Sequence, residues 1–300
     1  MVQIHPYTFA RPLQYGDEFT AIAASSVVSD NHALLNGVKI LESWGLVHHP
    51  QLATQRNWGY FAGDDSVRYN QLHPSKPSPL QVFARGGWGA ARLLEQHQPW
   101  KPGLMLGFSD VTSLLLSRLS AGFDGGIHGP LLTSLSNEPI WSQERLRSLL
   151  FGNSIPDLFG ESWNSQIATG PLVIANLTVG SHLIGSSHMP DLKGSILILE
   201  DVGEAPYRID RMLTQWRLAG LLQVLAGLGL GSFTECEAPK EEPLEQTFQI
   251  QEVLKERTKD LQMPIISNLP IGHSCGNAAL PQGRIATLNG EKGLLSLHPS

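Results

Sequence analysis

Cysteine is nearly absent from this chain of 300 residues: Cys236 and Cys275 are the only two. A disulfide-stapled scaffold carries more, so free thiols are the expected state of the pair. Neither H-E-x-x-H nor C-x-x-C occurs, and no metal site is expected from spacing; nothing in the sequence calls for a cofactor. There is no Lys/Arg run, and 21 basic residues stand against 27 acidic ones for a formal charge of -6. Nucleic acid is therefore excluded as a partner, since phosphate binding needs a basic face. No apolar stretch reaches the ~18 residues of a membrane span. The opening decapeptide MVQIHPYTFA has neither a cationic start nor a long apolar stretch, so no secretory leader is expected and the cytoplasm is the expected location. Internal repeats and low-complexity segments are also missing.

The composition that is present, 41% hydrophobic and 16% charged, is that of a folded globular chain, and its length favours two domains. The first half alternates short apolar runs with helical patterns. Phe19 to Ala24 reads as a strand, and a helix from Asn31 to Trp44 follows an Asp30 cap. Gln81 to Ala84 is a second strand, followed by the glycine-rich Arg85 to Gly89 and a helix-like AARLLEQ. Leu104 to Phe108 is a third strand and Val111 to Leu119 a helix. Such alternation predicts a parallel sheet with helices on both faces. Pro139, Pro156 and Gly160 break the pattern over 137–166, read as a linker with a short helix near Gln143 to Leu150, between a domain over 1–136 and another over 167–300. In the second half, Ser195 to Leu199 is a clear strand. Helices are expected from Ile209 to Leu225 and from Leu244 to Thr258, and short strands at Pro264 to Ile266 and Arg284 to Leu288.

Four constellations can carry chemistry. Ser109, in Gly107-Phe108-Ser109-Asp110, lies where a strand ends and a helix begins. A serine pushed out of a sheet there resembles a nucleophile elbow, with helix-terminal amides behind it for an oxyanion; on this segment alone a plain helix cap, the usual role of serine before a helix, is the better reading. Arg85-Gly86-Gly87-Trp88-Gly89 also joins a strand to a helix. It lacks the last small residue of a dinucleotide fingerprint and any G-K-[ST], which leaves an oxyanion or carboxylate cradle or a simple tight turn. Glu200 ends the SILIL strand, where α/β sites gather; Asp201, Glu204, Asp210 and Arg211 around it read as ion pairing. His273, after Leu269-Pro270-Ile271-Gly272, sits on a loop beside a glycine. Of the 11 histidines, His48 and His49 read as a surface pair and His128 as structural.

Taken in order, the stretches ARGGWGAARLL, GFSDVTSLL, IHGP, GSILILEDVGEAPYRIDRML, LGSFTEC and LPIGH resemble the LD-carboxypeptidases (muramoyltetrapeptide carboxypeptidases) and the related microcin-immunity serine peptidases. The first strand lacks the Pro-Ser pair common there, and GPLVIANL lacks a double glycine before its asparagine; neither departure touches the matching motifs. The resemblance implies an α/β architecture: an N-terminal flavodoxin-like parallel-sheet domain, a C-terminal strand-rich α/β domain, and an active site at their interface. It implies a Ser–Glu–His triad of Ser109, Glu200 and His273, with the backbone amides of Gly87 (or its neighbour Gly86) and Asp110 as oxyanion donors. The implied reaction removes a terminal D-alanine from a murein tetrapeptide during cell-wall recycling, through an acyl-enzyme and without a cofactor. Arg85 is a candidate partner for the substrate carboxylate, because a guanidinium binds carboxylates bidentately. A homodimer is the implied assembly. The alternatives are a microcin-immunity-type peptidase acting on a peptidyl-nucleotide amide, disfavoured by a loop whose single aromatic is Tyr207, and a non-catalytic peptide-binding module, disfavoured by the intact triad.

Overall fold

The computed structural model describes residues 10–50, 57–238 and 247–298; nine of the ten opening residues read for a leader, and residues 244–246 of the expected helix, lie outside them. Two compact units emerge, one ending at Ile155 and including Cys275–Gly283, the other formed by Pro156–Ser274 and the chain from Arg284 onward. In chain order the first carries β1 (Glu18–Ile22), α1 (Asn31–Ser43), β2 (Val47–His49), α2 (Asp65–Leu72), β3 (Leu80–Phe83), β4 (Leu104–Gly107), α3 (Thr112–Ser120), β5 (Gly126–His128), α4 (Leu132–Leu135) and α5 (Ile140–Leu150). The second carries β6 (Leu158–Phe159), β7 (Glu161–Ser162), β8 (Ile167–Asn176), α6 (Leu177–Ser181), β9 (Ile196–Val202), α7 (Pro206–Leu218), β10 (Gly227–Thr234), α8 (Ile250–Thr258) and β11 (Ile265–Ser267). The chain then returns β12 (Leu280–Pro281) to the first unit before β13 (Ile285–Asn289) and β14 (Leu294–Leu297) complete the second.

The first sheet has the order β12-β5-β4-β3-β1-β2. Strands β1 to β5 are mutually parallel and β12 joins antiparallel at the edge. The parallel part is the 2-1-3-4-5 order of a flavodoxin-like sheet, which opens a crevice at the carboxyl ends of its strands beside the β1/β3 switch point. Strands β3 and β4 are short apolar runs because both their faces are covered. On one side α1, α4 and α5 deliver Leu34, Val38, Leu41, Leu132, Leu135, Leu146 and Leu150 to a core shared with Phe19, Val82 and Leu106. The Asp30 carboxylate caps α1 through Ala33 N at 2.8 Å, and buried Leu34, Gly37, Val38 and Leu41 repeat at helical spacing.

The second unit builds an eight-stranded sheet in the order β6-β14-β13-β8-β9-β10-β11-β7. Its centre, β8-β9-β10-β11, is parallel; β13, β14, β6 and β7 are antiparallel additions. The chain is thus α/β throughout, with a parallel-sheet unit and a strand-rich unit.

Several expectations shift in detail. The segment 137–166 holds α5, whose Leu146 and Leu150 belong to the first core; Pro139, read as a breaker, stands at its cap position with φ -63° and ψ 156°. Residues 275–283, expected with the second half, belong to the first unit, because β12 extends its sheet. AARLLEQ forms only a 3-10 turn over Ala91–Glu95, since Gln96 is already extended. Helix α7 starts at Pro206, whose fixed φ suits a first turn, and stops at Leu218, where Gly220 at φ 73° closes it. His48 and His49 are half-buried rather than exposed, and His48 stacks on Phe19 at 5.1 Å. Both cysteines are free, Cys236 buried and Cys275 exposed. Among the described residues no helix is long and apolar enough to cross a membrane.

Gly37 tests the packing of the first core. A Cβ there would lie 2.0 Å from the Leu132 carbonyl oxygen, backbone that cannot swing aside. Alanine normally stabilises a helix interior by about 1 kcal/mol over glycine. Here overpacking of about 1–3 kcal/mol should win, so Gly37→Ala should lower stability in urea denaturation; a more stable variant would show that α1 and α4 do not pack this way.

Candidate active site

The carboxyl ends of β1, β3 and β4 bring three loops of the first unit together. Ser109 follows β4 and takes φ 63°, one of three non-glycine residues with positive φ among the described residues. Phe108, not Ser109, occupies the cap position of the turn Ser109–Val111, and no side chain caps it. That disposes of the simple capping reading. A serine in this sparsely allowed region costs on the order of 1–3 kcal/mol, the signature of an elbow that the surrounding sheet enforces.

The glycine loop after β3 is shaped against this serine. A Cβ on Gly86 would lie 2.8 Å from Ser109 Cβ and 2.9 Å from its Oγ, so only glycine admits the serine there. Gly87 has φ 104°, and a Cβ on it would lie 2.2 Å from Ser26 Oγ. Ser26 in turn accepts from Trp88 N at 3.2 Å, and its own N–H donates to Gly86 O at 3.3 Å. Asp110, beside the serine, is buried and accepts from Ala90 N at 2.8 Å, which ties the elbow to the glycine loop. Burial pushes its carboxyl above the ordinary range, opposed by bonds that include those from Ala90 and Gly89 and by the charge of Arg68. Arg68 is itself fully buried; its guanidinium donates to Gly63 O at 3.1 Å and Gly89 O at 2.8 Å, and also to Ala24 O and Asp65. Arg85 donates from Nη1 to Val27 O at 2.9 Å, bracing the loop after β1.

In the second unit, Glu200 on β9 is fully buried. Its Oε2 meets His273 Nδ1 at 2.7 Å. An ionised carboxylate only accepts, so with Glu200 in that form Nδ1–H is the donor of this bond and Nε2 is the ring nitrogen left to face away from it. Two local features create this contact. Leu230 pairs with Leu199 but Phe233 with Asp201, so Gly231 and Ser232 together oppose Glu200 in a β-bulge. Ser232 N donates to Ile271 O at 2.8 Å, and Leu269 N donates to Leu230 O at 3.1 Å, drawing the 269–273 loop onto β10. Glycine is required on both sides: a Cβ on Gly231 would lie 2.4 Å from Ile271 O, and one on Gly272, at φ 119°, would lie 2.6 Å from Ser232 Oγ and 2.7 Å from Glu200 Oε2.

Asp201 points to the opposite face of β9, as strand alternation requires. It is buried and, among the described residues, in no ion pair, contrary to expectation: it accepts from Thr178 N and Thr178 Oγ1, each at 2.8 Å, and from Val202 N at 2.8 Å. Glu204 does pair, with Arg208 at 3.2 Å, and Asp210 with Arg257 at 3.7 Å. His128 is buried on β5 against Phe108. Among the described residues no three His, Cys, Asp or Glu side chains gather as metal ligands. The bulge at Gly231–Ser232, the Ser26 contact and the Arg68 knot went unread in the sequence. Only the glycine inside the apolar run LGLGSF signals one of them, as strand glycines often mark bulges.

Comparison with known proteins also gives two matches along the chain. A family model described as the LD-carboxypeptidase N-terminal domain matches residues 20–129, and one described as the LD-carboxypeptidase C-terminal domain matches residues 169–288. A putative carboxypeptidase of Synechocystis sp. is 44% identical over 292 residues, covering 95% of this chain and 95% of that protein. The murein tetrapeptide carboxypeptidase of Pseudomonas aeruginosa is 32% identical over 296 residues, covering 90% and 92% respectively. The crystal structure of muramoyltetrapeptide carboxypeptidase from Oxalobacter formigenes aligns with TM-score 0.80 at 26% identity, over 93% of this chain and 97% of that one.

Gly272→Ala is the sharpest test of the histidine loop. With φ 119° and no room for a Cβ, alanine should cost about 1–3 kcal/mol and push Glu200 and His273 apart. The hydrogen-bonded Nδ1 proton of His273, followed by NMR, should be lost. An unchanged signal would show that Gly272 does not set the pair.

Proposed function

We propose, from the premise that this chain belongs to the LD-carboxypeptidase family, that it releases the terminal D-alanine of murein tetrapeptide through Ser109, His273 and Glu200. As a family member it is a carboxypeptidase hydrolase; the residues, the substrate and a place in cell-wall recycling are our reading. The observation that carries it is the 2.7 Å contact between His273 Nδ1 and the buried Glu200 Oε2, which supports an imidazole oriented by a carboxylate as a general base requires. The strained turn at Ser109 supports it from the first unit.

The chemistry then runs as acyl transfer. Ser109 Oγ forms a bond to the carbonyl carbon that joins the L-centre of the diamino acid to D-alanine, and its proton passes to His273 Nε2. Glu200, removed from water and with Oε1 unpartnered among the described residues, stabilises the imidazolium in a low-dielectric setting. The backbone amides of Gly87 and Asp110 hold the tetrahedral oxyanion. Collapse breaks the C–N bond, His273 returns its proton to the leaving amine, and D-alanine departs. Water, deprotonated by His273, then opens the acyl-enzyme and restores the Ser109 hydroxyl. Arg85, anchored at Val27 O, is the cation proposed to receive the free carboxylate through its remaining N–H groups. The reading includes a cytoplasmic homodimer, checked by fractionation and by sedimentation.

The test is D-alanine release from murein tetrapeptide. Ser109→Ala should fold and lose about three or more orders of magnitude in kcat. Glu200→Gln should also be crippled, while Glu204→Gln, which loses only an exposed pair with Arg208, should stay within a few-fold. Turnover by Ser109→Ala within tenfold of wild type, or the reverse order of the two glutamates, overturns the assignment.

A further inference from the structure

Beyond His273 the chain reads Ser274-Cys275-Gly276-Asn277, and this run is gripped by α5 and the residue just before its cap. Glu138 is buried, and its Oε2 accepts from Gly276 N at 2.8 Å and Asn277 N at 3.0 Å. Ser142 Oγ donates to Asn277 O at 2.8 Å, and Arg145 Nε donates to Ala279 O at 3.0 Å. Ser142 and Arg145 lie three apart on α5, on one face, and Glu138 precedes its cap. Gly276, at φ 94°, is closed in by Trp141, whose Cζ2 a Cβ would approach to 2.5 Å.

A polar face inside the core carries a cost. Burial pushes the Glu138 carboxyl above its ordinary range, opposed by the Gly276 and Asn277 amides and Ser142, and an aliphatic side chain would avoid that cost. Pairing of β12 with β5 already sets the register of Leu280 and Pro281. The Glu138 carboxylate acts instead upstream, between that strand and His273. On its other side His273 follows Gly272, wedged against Ser232 and Glu200. Along the chain, only residues 273–275 lie between Gly272 and Gly276.

We propose that Glu138 is a positioning residue for His273: by holding the Gly276 and Asn277 amides it fixes the peptide on the carboxyl side of the general base. The inference rests on the reading of His273 given above. A glutamine side chain keeps an acceptor oxygen at the same reach, whereas alanine removes it and aspartate falls one methylene short.

The experiment compares Glu138→Gln, Glu138→Ala and Glu138→Asp for D-alanine release from murein tetrapeptide, with circular dichroism to establish folding and NMR of the His273 ring. Glu138→Gln should keep kcat within about threefold. Folded Glu138→Ala should lose at least tenfold in kcat with KM within twofold, and its His273 ring resonances should shift while those of Glu138→Gln do not. Should the alanine variant fail to fold, Glu138→Asp carries the same expectation. A folded alanine or aspartate variant with wild-type kcat and an unmoved His273 signal overturns the proposal, as does a Glu138→Gln variant as impaired as Glu138→Ala. His273→Ala, run in parallel, separates the two readings. If it turns over at the wild-type rate, the general-base assignment falls; if it is inactive beside a fully active Glu138→Ala, this inference alone falls.

Discussion

A carboxylate with no access to water must find its compensation in the protein, and Glu200 finds it in His273 Nδ1 at 2.7 Å. Much of the local design of the second unit follows from bringing these two side chains together. Glu200 arrives on an inner strand of a parallel sheet. His273 arrives on a loop that packs tightly on the neighbouring strand. The bulge at Gly231–Ser232 receives that loop, and the missing side chains of Gly231 and Gly272 leave room for it. Removing either partner would leave a buried polar group uncompensated, the most expensive kind of deletion in a folded core. The same strand sends Asp201 to its other face, where Thr178 and Val202 satisfy it. Two adjacent acids thus take different work from strand alternation alone.

The first unit solves a different problem. Its serine has to stand in an unfavourable backbone conformation, and the loops after β1, β3 and β4 hold it there. Gly86 lies directly against Ser109, Asp110 reaches back to Ala90, and Arg68 joins the loops after β1 and β3 through Ala24 and Gly89. Strain of this kind persists only where the surroundings over-determine it. The crevice at the carboxyl ends of a 2-1-3-4-5 sheet is where such surroundings are available.

Much of this could be read from the residues beforehand. The apolar runs at Phe19, Gln81 and Leu104 announced buried parallel strands, and Asp30 announced the start of α1. Motif order drew attention to Ser109, Glu200 and His273, and the last two are in direct contact. What escaped is tertiary by nature. β2 and β5 are three residues each, too short for periodicity to register. β12 belongs to the first sheet only because the chain returns to it, and no local signal marks a return. Pro139 suggested a break, yet it opens α5, because a proline's fixed φ suits the start of a helix as well as its end. The AARLLEQ pattern suggested a full helix and gave one 3-10 turn, since nothing after Gln96 continues it. The buried polar grips of Arg68 and Glu138 are invisible in a sequence where any arginine or glutamate defaults to the surface.

The central claim is that Ser109 is acylated during turnover, with Glu200 and His273 driving the transfer. Rapid acid quench of the protein with murein tetrapeptide, followed by proteolysis and mass spectrometry, tests it most directly. The account predicts a tripeptidyl adduct on the fragment containing Ser109, formed as D-alanine is released and absent in Ser109→Ala. Release of D-alanine by the wild-type protein with no adduct on any fragment, or with the adduct on another residue, would contradict it.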